Sequence, residues 1–155
     1  YVDLCICNEE DAEKVLGIKS ENTVVEEGKL NKSDYSNIAK EICDQYGCQY
    51  VATTLRKSYS ASCNGWGAML FDAKESQSYF SREYDIWIVD RVGGGDNFSA
   101  AMIYTFSTSK TCQEKIEFAT SASCLIQTIE GDYNRVSVND VEDLVHSSGN
   151  GRVRR

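Results

Sequence analysis

Residues 33–55 read SDYSNIAKEICDQYGCQYVATTL, and this stretch decides the fold. Its first part predicts a helix from Ser33 to Gly47, because apolar residues recur there at helical spacing: Tyr35, Ile38, Ala39, Ile42, Cys43 and Tyr46. Ser33 is predicted to cap the start of this helix and Gly47 to end it. The β-branched segment QYVATTL that follows predicts a strand buried on both faces.

The segments on either side extend this pattern along the whole chain. Tyr1–Cys7 (YVDLCIC) predicts another short strand, which completes a strand–helix–strand unit. Between them, Asn8 is a good cap for a short helix that ends at Gly17, and residues 17–32 are polar and predict a loop. Downstream, the pattern predicts three β-like runs (65–72, 78–84 and 85–89) and three helices (from Asp96, 111–128 and 137–146).

This order of elements predicts an α/β fold. We expect a three-layer αβα domain with a mainly parallel sheet, helices on both faces, and a β-hairpin within residues 57–89. Ligands of such sheets bind at the carboxyl ends of the strands. The functional residues are therefore expected in the segments that follow the strands.

Composition excludes several classes of protein. Lys and Arg number 16 against 24 Asp and Glu, so the net charge of −8 disfavours a nucleic-acid partner. No apolar run reaches the roughly 20 residues of a transmembrane helix, so no membrane partner is expected. The seven cysteines show no zinc-type spacing and fit reduced thiols in a cytoplasmic protein. With His146 as the only histidine, a Ser-His-Asp or Cys-His enzyme is also disfavoured.

The segment most informative about chemistry is Val89–Phe98, which reads VDRVGGGDNF between a predicted strand and a predicted helix. Consecutive glycines let backbone N–H groups approach an anion closely, and the following helix directs its positive end to the same place. Asp96, at the start of that helix, could accept a proton from a substrate hydroxyl. An equally simple interpretation is a tight turn with Asp96 as a helix cap. The spacing matches neither a Walker A loop nor GxGxxG.

Four segments together resemble one family. Asp90–Phe98 (DRVGGGDNF) resembles the second signature of the ribokinase-type (PfkB) carbohydrate kinases, in the form most similar to 2-keto-3-deoxygluconate kinases. Asn8–Ala12 resembles the family's N-x-x-E segment, with Asp11 in the last place. Thr54–Arg56 resembles its Thr-Leu nucleotide loop, where many relatives carry Gly in place of Arg56. Gly131–Asn134 resembles a Gly-Asp-Phe-Asn turn near the end of the deoxygluconate kinases.

The resemblance implies an ATP-dependent phosphoryl transfer to a sugar acid. Asp96 is then the catalytic base, and Gly93, Gly94 and Gly95 form the anion hole. The remaining implied roles are nucleotide contacts at Asn8, Thr54, Arg56, Thr120 and Ser123, Mg²⁺ held through water by Asp11, a sugar-acid contact at Asp132, and in some members a monovalent cation at Asp90 and Val92. Simpler interpretations stay open: Asn8 as a helix cap, Thr54 as a strand residue, Arg56 as a surface charge and Asp132 as a turn residue.

Two hypotheses about function follow. In the first, the chain is an ATP-dependent sugar-acid kinase or part of one. In the second, residues 1–155 are the carboxy-terminal part of such a kinase without its amino-terminal half and lid, and act only as a nucleotide-binding or structural domain. The second hypothesis predicts an exposed sheet edge at the first strand, and with it a homo-oligomer that phosphorylates no sugar alone.

Overall fold

The computed structural model describes residues 1–18, 31–131 and 133–147. Within them the chain forms five strands and five helices in the order β-α-α-β-β-β-β-α-α-α. The strands are β1 (Leu4–Cys7), β2 (Tyr50–Ser58), β3 (Cys63–Asp72), β4 (Gln77–Phe80) and β5 (Tyr84–Trp87). The helices are α1 (Glu9–Lys14), α2 (Lys32–Tyr46), α3 (Gly94–Phe106), α4 (Cys112–Ile126) and α5 (Val138–His146). Most of the loop predicted at 17–32 lies outside the described residues.

The predicted strand–helix–strand unit is confirmed. β1 pairs with β2 in parallel, from Leu4 opposite Tyr50 to Cys7 opposite Thr53, and α2 makes the crossover between them. The helix ends as predicted at Gly47, whose φ of 73° suits glycine. Its cap is Asn31 rather than Ser33, because the Asn31 side chain accepts a hydrogen bond from the Asp34 amide at 3.0 Å. Two neighbouring residues could have capped the helix, and the sequence alone does not rank them.

The sheet is mixed, so the expectation of a mainly parallel sheet is corrected. β3 pairs antiparallel with β2 along its whole length, and antiparallel with β4 at one end and β5 at the other. The reason lies in the connections: parallel neighbours need a long crossover, whereas short turns join antiparallel strands. In the described residues only β1 and β2 have such a crossover. The hairpin expected within 57–89 is present, but its second run breaks after Phe80 to serve both ends of β3.

Helices cover both faces of the sheet, which confirms the three-layer α/β arrangement. Alternate residues of β2 face opposite layers: Val51 is buried under α2, and Ala52 is buried under α3 and α4. The α2 layer also contains Ile38, Ile42, Met69 and Phe71, and the α3–α4 layer contains Phe98, Met102, Ile116 and Phe118. None of the helices in the described residues is long and apolar enough to span a membrane.

The helices of the second layer start in two different ways. Thr111 and Ser137 cap α4 and α5 with reciprocal side-chain and backbone bonds. α3 begins at Gly94, two residues before the predicted start at Asp96, and no side chain caps it. The exception falls on the glycine segment singled out by the sequence.

Candidate active site

The start of α3 lies at the edge of the sheet where β1 and β2 end. The ring of Phe106, the last residue of α3, packs on Tyr50 at the beginning of β2, with centroids 4.8 Å apart. β5 ends at Trp87 opposite Cys63, and β2 ends at Ser58 opposite Asn64, so both strands end at the same edge of the sheet. The Ile88 amide donates to the Ser62 carbonyl at 2.9 Å, which keeps the chain at that edge as it leaves β5 for the glycine segment. On the same side of the sheet, Asn8 follows β1, and Thr54 lies in β2 one residue beyond the partner of the last β1 residue.

The glycine segment presents backbone amides at this edge. Gly93 precedes α3 with φ of 80°, a left-handed conformation that favours glycine. Its carbonyl accepts the first helical bond, from the Asn97 amide at 2.8 Å, and no side chain caps the amides of Gly94, Gly95 and Asp96. The other four helices of the described residues all have a side-chain cap. Uncapped amides at a positive helix end form a site for an anion.

Asp96 places a carboxylate beside these amides. It lies in the first turn of α3 and is exposed to solvent. A side chain in this position can exchange a proton with a bound ligand without first breaking a contact in the protein, because no hydrogen bond or ion pair engages it in the described residues. Gly95, next to it, is also exposed, and a Cβ built there meets nothing within 4 Å.

The glycine segment is fixed from behind by α4. The buried Ser123 hydroxyl donates to the Gly94 carbonyl at 2.8 Å. The Gln127 side chain packs against Gly94, so that a Cβ at that position would lie 3.4 Å from it. The Gln127 carbonyl accepts from the Val89 amide at 2.9 Å. α4 therefore sets where the glycine segment sits.

Asp90 and Arg91 tie the same segment to two turns. The Asp90 carboxylate accepts from the Val92 amide at 3.0 Å and from the Gly131 amide at 3.1 Å. These two backbone hydrogen bonds lower the pKa of Asp90 below its ordinary value. The Arg91 guanidinium donates to the Ala61 carbonyl in the connection between β2 and β3. The glycine segment is thus anchored to α4, to the turn at Gly131 and to the connection between β2 and β3, while Gly95 and Asp96 are exposed to solvent.

The sequence also matches a family profile. The profile described as pfkB family carbohydrate kinase matches residues 1–137. The chain belongs to the pfkB family of carbohydrate kinases. No curated protein matches the chain.

Solved structures of pfkB kinases share the fold. A 2-dehydro-3-deoxygluconokinase from Thermotoga maritima is 44% identical, with a TM-score of 0.86 over 95% of this chain and 43% of the other. A PfkB family carbohydrate kinase from Listeria grayi is 29% identical, with a TM-score of 0.76 over 94% of this chain and 42% of the other. The chain therefore spans less than half the length of these pfkB relatives.

The residues predicted to serve the pfkB nucleotide site fall into two groups. Asn8 and Asp11 cap α1 reciprocally: the Asn8 side chain accepts from the Asp11 amide at 2.8 Å, and Asp11 accepts from the Asn8 amide at 3.0 Å. Thr54 lies half-buried in β2, opposite Ala68. These residues stand at the edge reached by the start of α3, and their ligand contacts stay predictions.

Arg56 has an anchor that the sequence did not reveal. The buried Asn64 side chain, with its amide oriented to satisfy both of its groups, donates to the Cys63 carbonyl at 2.8 Å and accepts from Arg56 Nε at 3.0 Å. Arg56 itself is exposed to solvent. Asn64 lies one residue outside the predicted strand 65–72, and only the register of β2 against β3 brings it near Arg56.

The structure turns the other two predicted nucleotide contacts inward. Thr120 and Ser123 are fully buried. Thr120 donates to the Ile116 carbonyl at 2.7 Å, and Ser123 donates to Gly94. Neither hydroxyl reaches an open surface here, so their contacts with adenine remain predictions without geometric support. Asp132 lies outside the described residues.

Proposed function

We propose that this chain carries the ATP-binding and catalytic-loop part of a kinase that phosphorylates a hydroxyl of a sugar acid similar to 2-keto-3-deoxygluconate. The observation that carries the proposal is the start of α3, where three uncapped amides and the exposed carboxylate of Asp96 occupy one helical turn. The choice of sugar acid rests on the 2-dehydro-3-deoxygluconokinase at 44% identity.

Asp96 serves as the general base in this proposal. Its carboxylate takes the proton of the sugar hydroxyl as the oxygen attacks the γ-phosphorus of ATP, and ADP leaves with the electrons of the broken P–O bond. A carboxylate suits this task because both of its oxygens can accept a proton. Its position in the first turn of α3 brings it beside the amides that face the phosphoryl group.

The amides at Gly93–Gly95 and Asp96 serve as the anion hole. Charge accumulates on the oxygens of the transferred phosphoryl group, and fixed N–H dipoles stabilise it without having to reorganise. The anchoring of the segment by Ser123, Gln127 and Asp90 supports this role, because it keeps these dipoles in place.

Asn8, Thr54 and Arg56 line the nucleotide in this proposal, and Asp11 holds Mg²⁺ through water. Asp11 fits a water-mediated role: it is exposed, and only one of its carboxylate oxygens is engaged, by the Asn8 amide. Mg²⁺, when bound, neutralises charge on the β- and γ-phosphates. The monovalent-cation site at Asp90 and Val92 and the sugar-acid contact at Asp132 also stay proposals. Each Asp90 carboxylate oxygen accepts one backbone amide, which leaves a lone pair on each oxygen for a cation.

The span of the chain favours a second candidate function. The match to the 2-dehydro-3-deoxygluconokinase structure covers 43% of that chain, so more than half of that kinase has no counterpart here. In this candidate the missing part is the amino-terminal half with the sugar site and the lid. A domain of this kind would bind nucleotide without turnover. Within the described residues β1 is an edge strand of the sheet, and the homo-oligomer expected from an exposed edge belongs to this candidate.

One pair of measurements tests both candidates. ATP binding is measured by calorimetry, and ATP-dependent phosphorylation of 2-keto-3-deoxygluconate is followed by ADP release, in the wild-type chain and in Asp96→Asn. Kinase activity in the wild type that falls about 10²-fold or more in Asp96→Asn, with ATP affinity largely kept, supports the first candidate. ATP binding without turnover in either protein supports the second. A wild-type chain that binds no ATP refutes the kinase and the nucleotide-binding domain, and leaves only a structural domain.

A further inference from the structure

The first turn of α3 is formed although it lacks the side-chain cap that normally stabilises the start of a helix. A helix end without a side-chain cap is less stable than a capped one, and its first turn tends to open. Gly94 and Gly95 weaken this turn further, because glycine loses the most backbone entropy on folding. The turn is nevertheless formed, with helical geometry from Gly94 onward. Some contact outside the helix must therefore hold it.

That contact is made by Ser123 from the side opposite the free amides. The Ser123 hydroxyl donates to the Gly94 carbonyl at 2.8 Å. Because a trans peptide is planar, the Gly94 carbonyl and the Gly95 N–H point in opposite directions. A bond to this carbonyl from within the protein therefore directs the Gly95 amide outward. A conventional cap would instead occupy the amides themselves.

Within the described residues the Ser123 hydroxyl bonds to the Gly94 carbonyl alone. Its side chain is fully buried, so it has no contact with water. Gln127, which directly follows the last residue of α4, donates through Nε2 to the Ser123 carbonyl at 3.0 Å and packs its side chain against Gly94. The two residues form one buried support beneath the first residue of α3.

We propose that Ser123 is a positioning residue of the anion hole: it holds the first turn of α3 through the Gly94 carbonyl and so keeps the amides of Gly94, Gly95 and Asp96 free for phosphate. This inference rests on the proposed function. It replaces the adenine contact that the sequence predicted for Ser123 with a role one step removed from the ligand.

The test compares Ser123→Ala with Ser121→Ala. Ser121 is a matched control because it is a fully buried serine on the same helix, and its hydroxyl hydrogen-bonds to Tyr84 Oη at 2.9 Å, away from the glycine segment. Both variants remove one buried hydroxyl from α4. Only Ser123→Ala removes the bond to Gly94.

Two readouts are measured on the 155-residue chain. The first is the dissociation constant of ATP by calorimetry, which we expect to rise about 3- to 10-fold in Ser123→Ala, the worth of one hydrogen bond, and to stay unchanged in Ser121→Ala. The second is amide hydrogen exchange without ligand. The Asn97 amide, bonded to the Gly93 carbonyl at 2.8 Å, reports opening of the first turn. It should exchange faster in Ser123→Ala only.

Each outcome decides a separate question. Wild-type ATP affinity and wild-type exchange at Asn97 in Ser123→Ala overturn the positioning role and leave the proposed function standing. Equal losses in both variants also overturn it, because they reduce Ser123 to general packing. If the wild-type chain binds no ATP, the proposed function fails. Faster exchange at Asn97 in Ser123→Ala, but not in Ser121→Ala, would still show that Ser123 holds the first turn of α3.

Discussion

Gly95→Ala separates the stability of α3 from its ability to bind phosphate. Gly95 has no positive φ, and a Cβ built on it meets nothing within 4 Å. The protein structure therefore does not require glycine at this position. Alanine is the better helix former by roughly 0.5–1 kcal/mol. We expect Gly95→Ala to raise the free energy of unfolding by up to that amount.

The same methyl group should weaken nucleotide binding. It would stand in the open space beside the Gly95 and Asp96 amides, where the proposal places a phosphate. Loss of one hydrogen bond to a charged group is worth about 1.5–3 kcal/mol, so the dissociation constant of ATP should rise about 10- to 100-fold. Urea unfolding and calorimetric titration of the same protein sample measure the two effects.

Ala100→Gly is the mirror-image control. Ala100 is an exposed residue in the interior of the same helix, one and a half turns further along. Its replacement should lower the free energy of unfolding by about 0.5–1 kcal/mol and leave ATP affinity unchanged. A Gly95→Ala variant that binds ATP as tightly as wild type would remove the Gly95 amide from the site. A Gly95→Ala variant less stable than wild type would show that the open space around residue 95 has been misjudged.

Two further predictions concern stability. Hydrogen bonds from the Val92 and Gly131 amides lower the pKa of Asp90 on folding. The ionised Asp90 carboxylate therefore stabilises the fold fully above its ordinary pKa of about 4, and this stabilisation is lost as the pH falls through the lower pKa of the folded state. Urea unfolding of wild type and Asp90→Asn from pH 7 to 3 should show the difference between them shrinking below about pH 4, and a constant difference would contradict the assignment. Ser76, in the turn between β3 and β4, has φ of 50°, and Ser76→Gly should raise the free energy of unfolding by about 0.5–1 kcal/mol. An unchanged thermal midpoint would show that Ser76 is not strained.

The parts of the fold that the sequence predicts well are those with a strong local period. α2 lies within a residue or two of its predicted ends, and β2 follows it as expected, because apolar spacing and a terminal glycine specify both. The relative directions of the strands were harder to predict. It depends on which strands become neighbours, and the two short turns on either side of β3 make its pairings antiparallel.

The role of Ser123 could not be predicted because α4 has no polar face in its central part. Every residue from Phe118 to Cys124 is buried, between the sheet, α3 and α5. A hydroxyl on such a helix has no preferred direction in the sequence, and its partner depends on tertiary packing. The resemblance to sugar kinases supplied a direction for Ser123, toward adenine, whereas the structure turns it toward Gly94.

The sequence singles out the start of α3 for the opposite reason: its glycines break the local rules that the rest of the chain obeys, although the helix begins at Gly94 and not at the predicted Asp96. Every other helix in the described residues begins with an asparagine, serine or threonine cap. α3 begins with glycines and leaves its amides uncapped. Alanine would stabilise the helix at position 95, where a Cβ meets nothing within 4 Å. Sequences that are otherwise locally consistent tend to depart from consistency at functional sites. The lost stability at this turn is offset by buried contacts from α4, which is the arrangement expected when free amides are what the site requires.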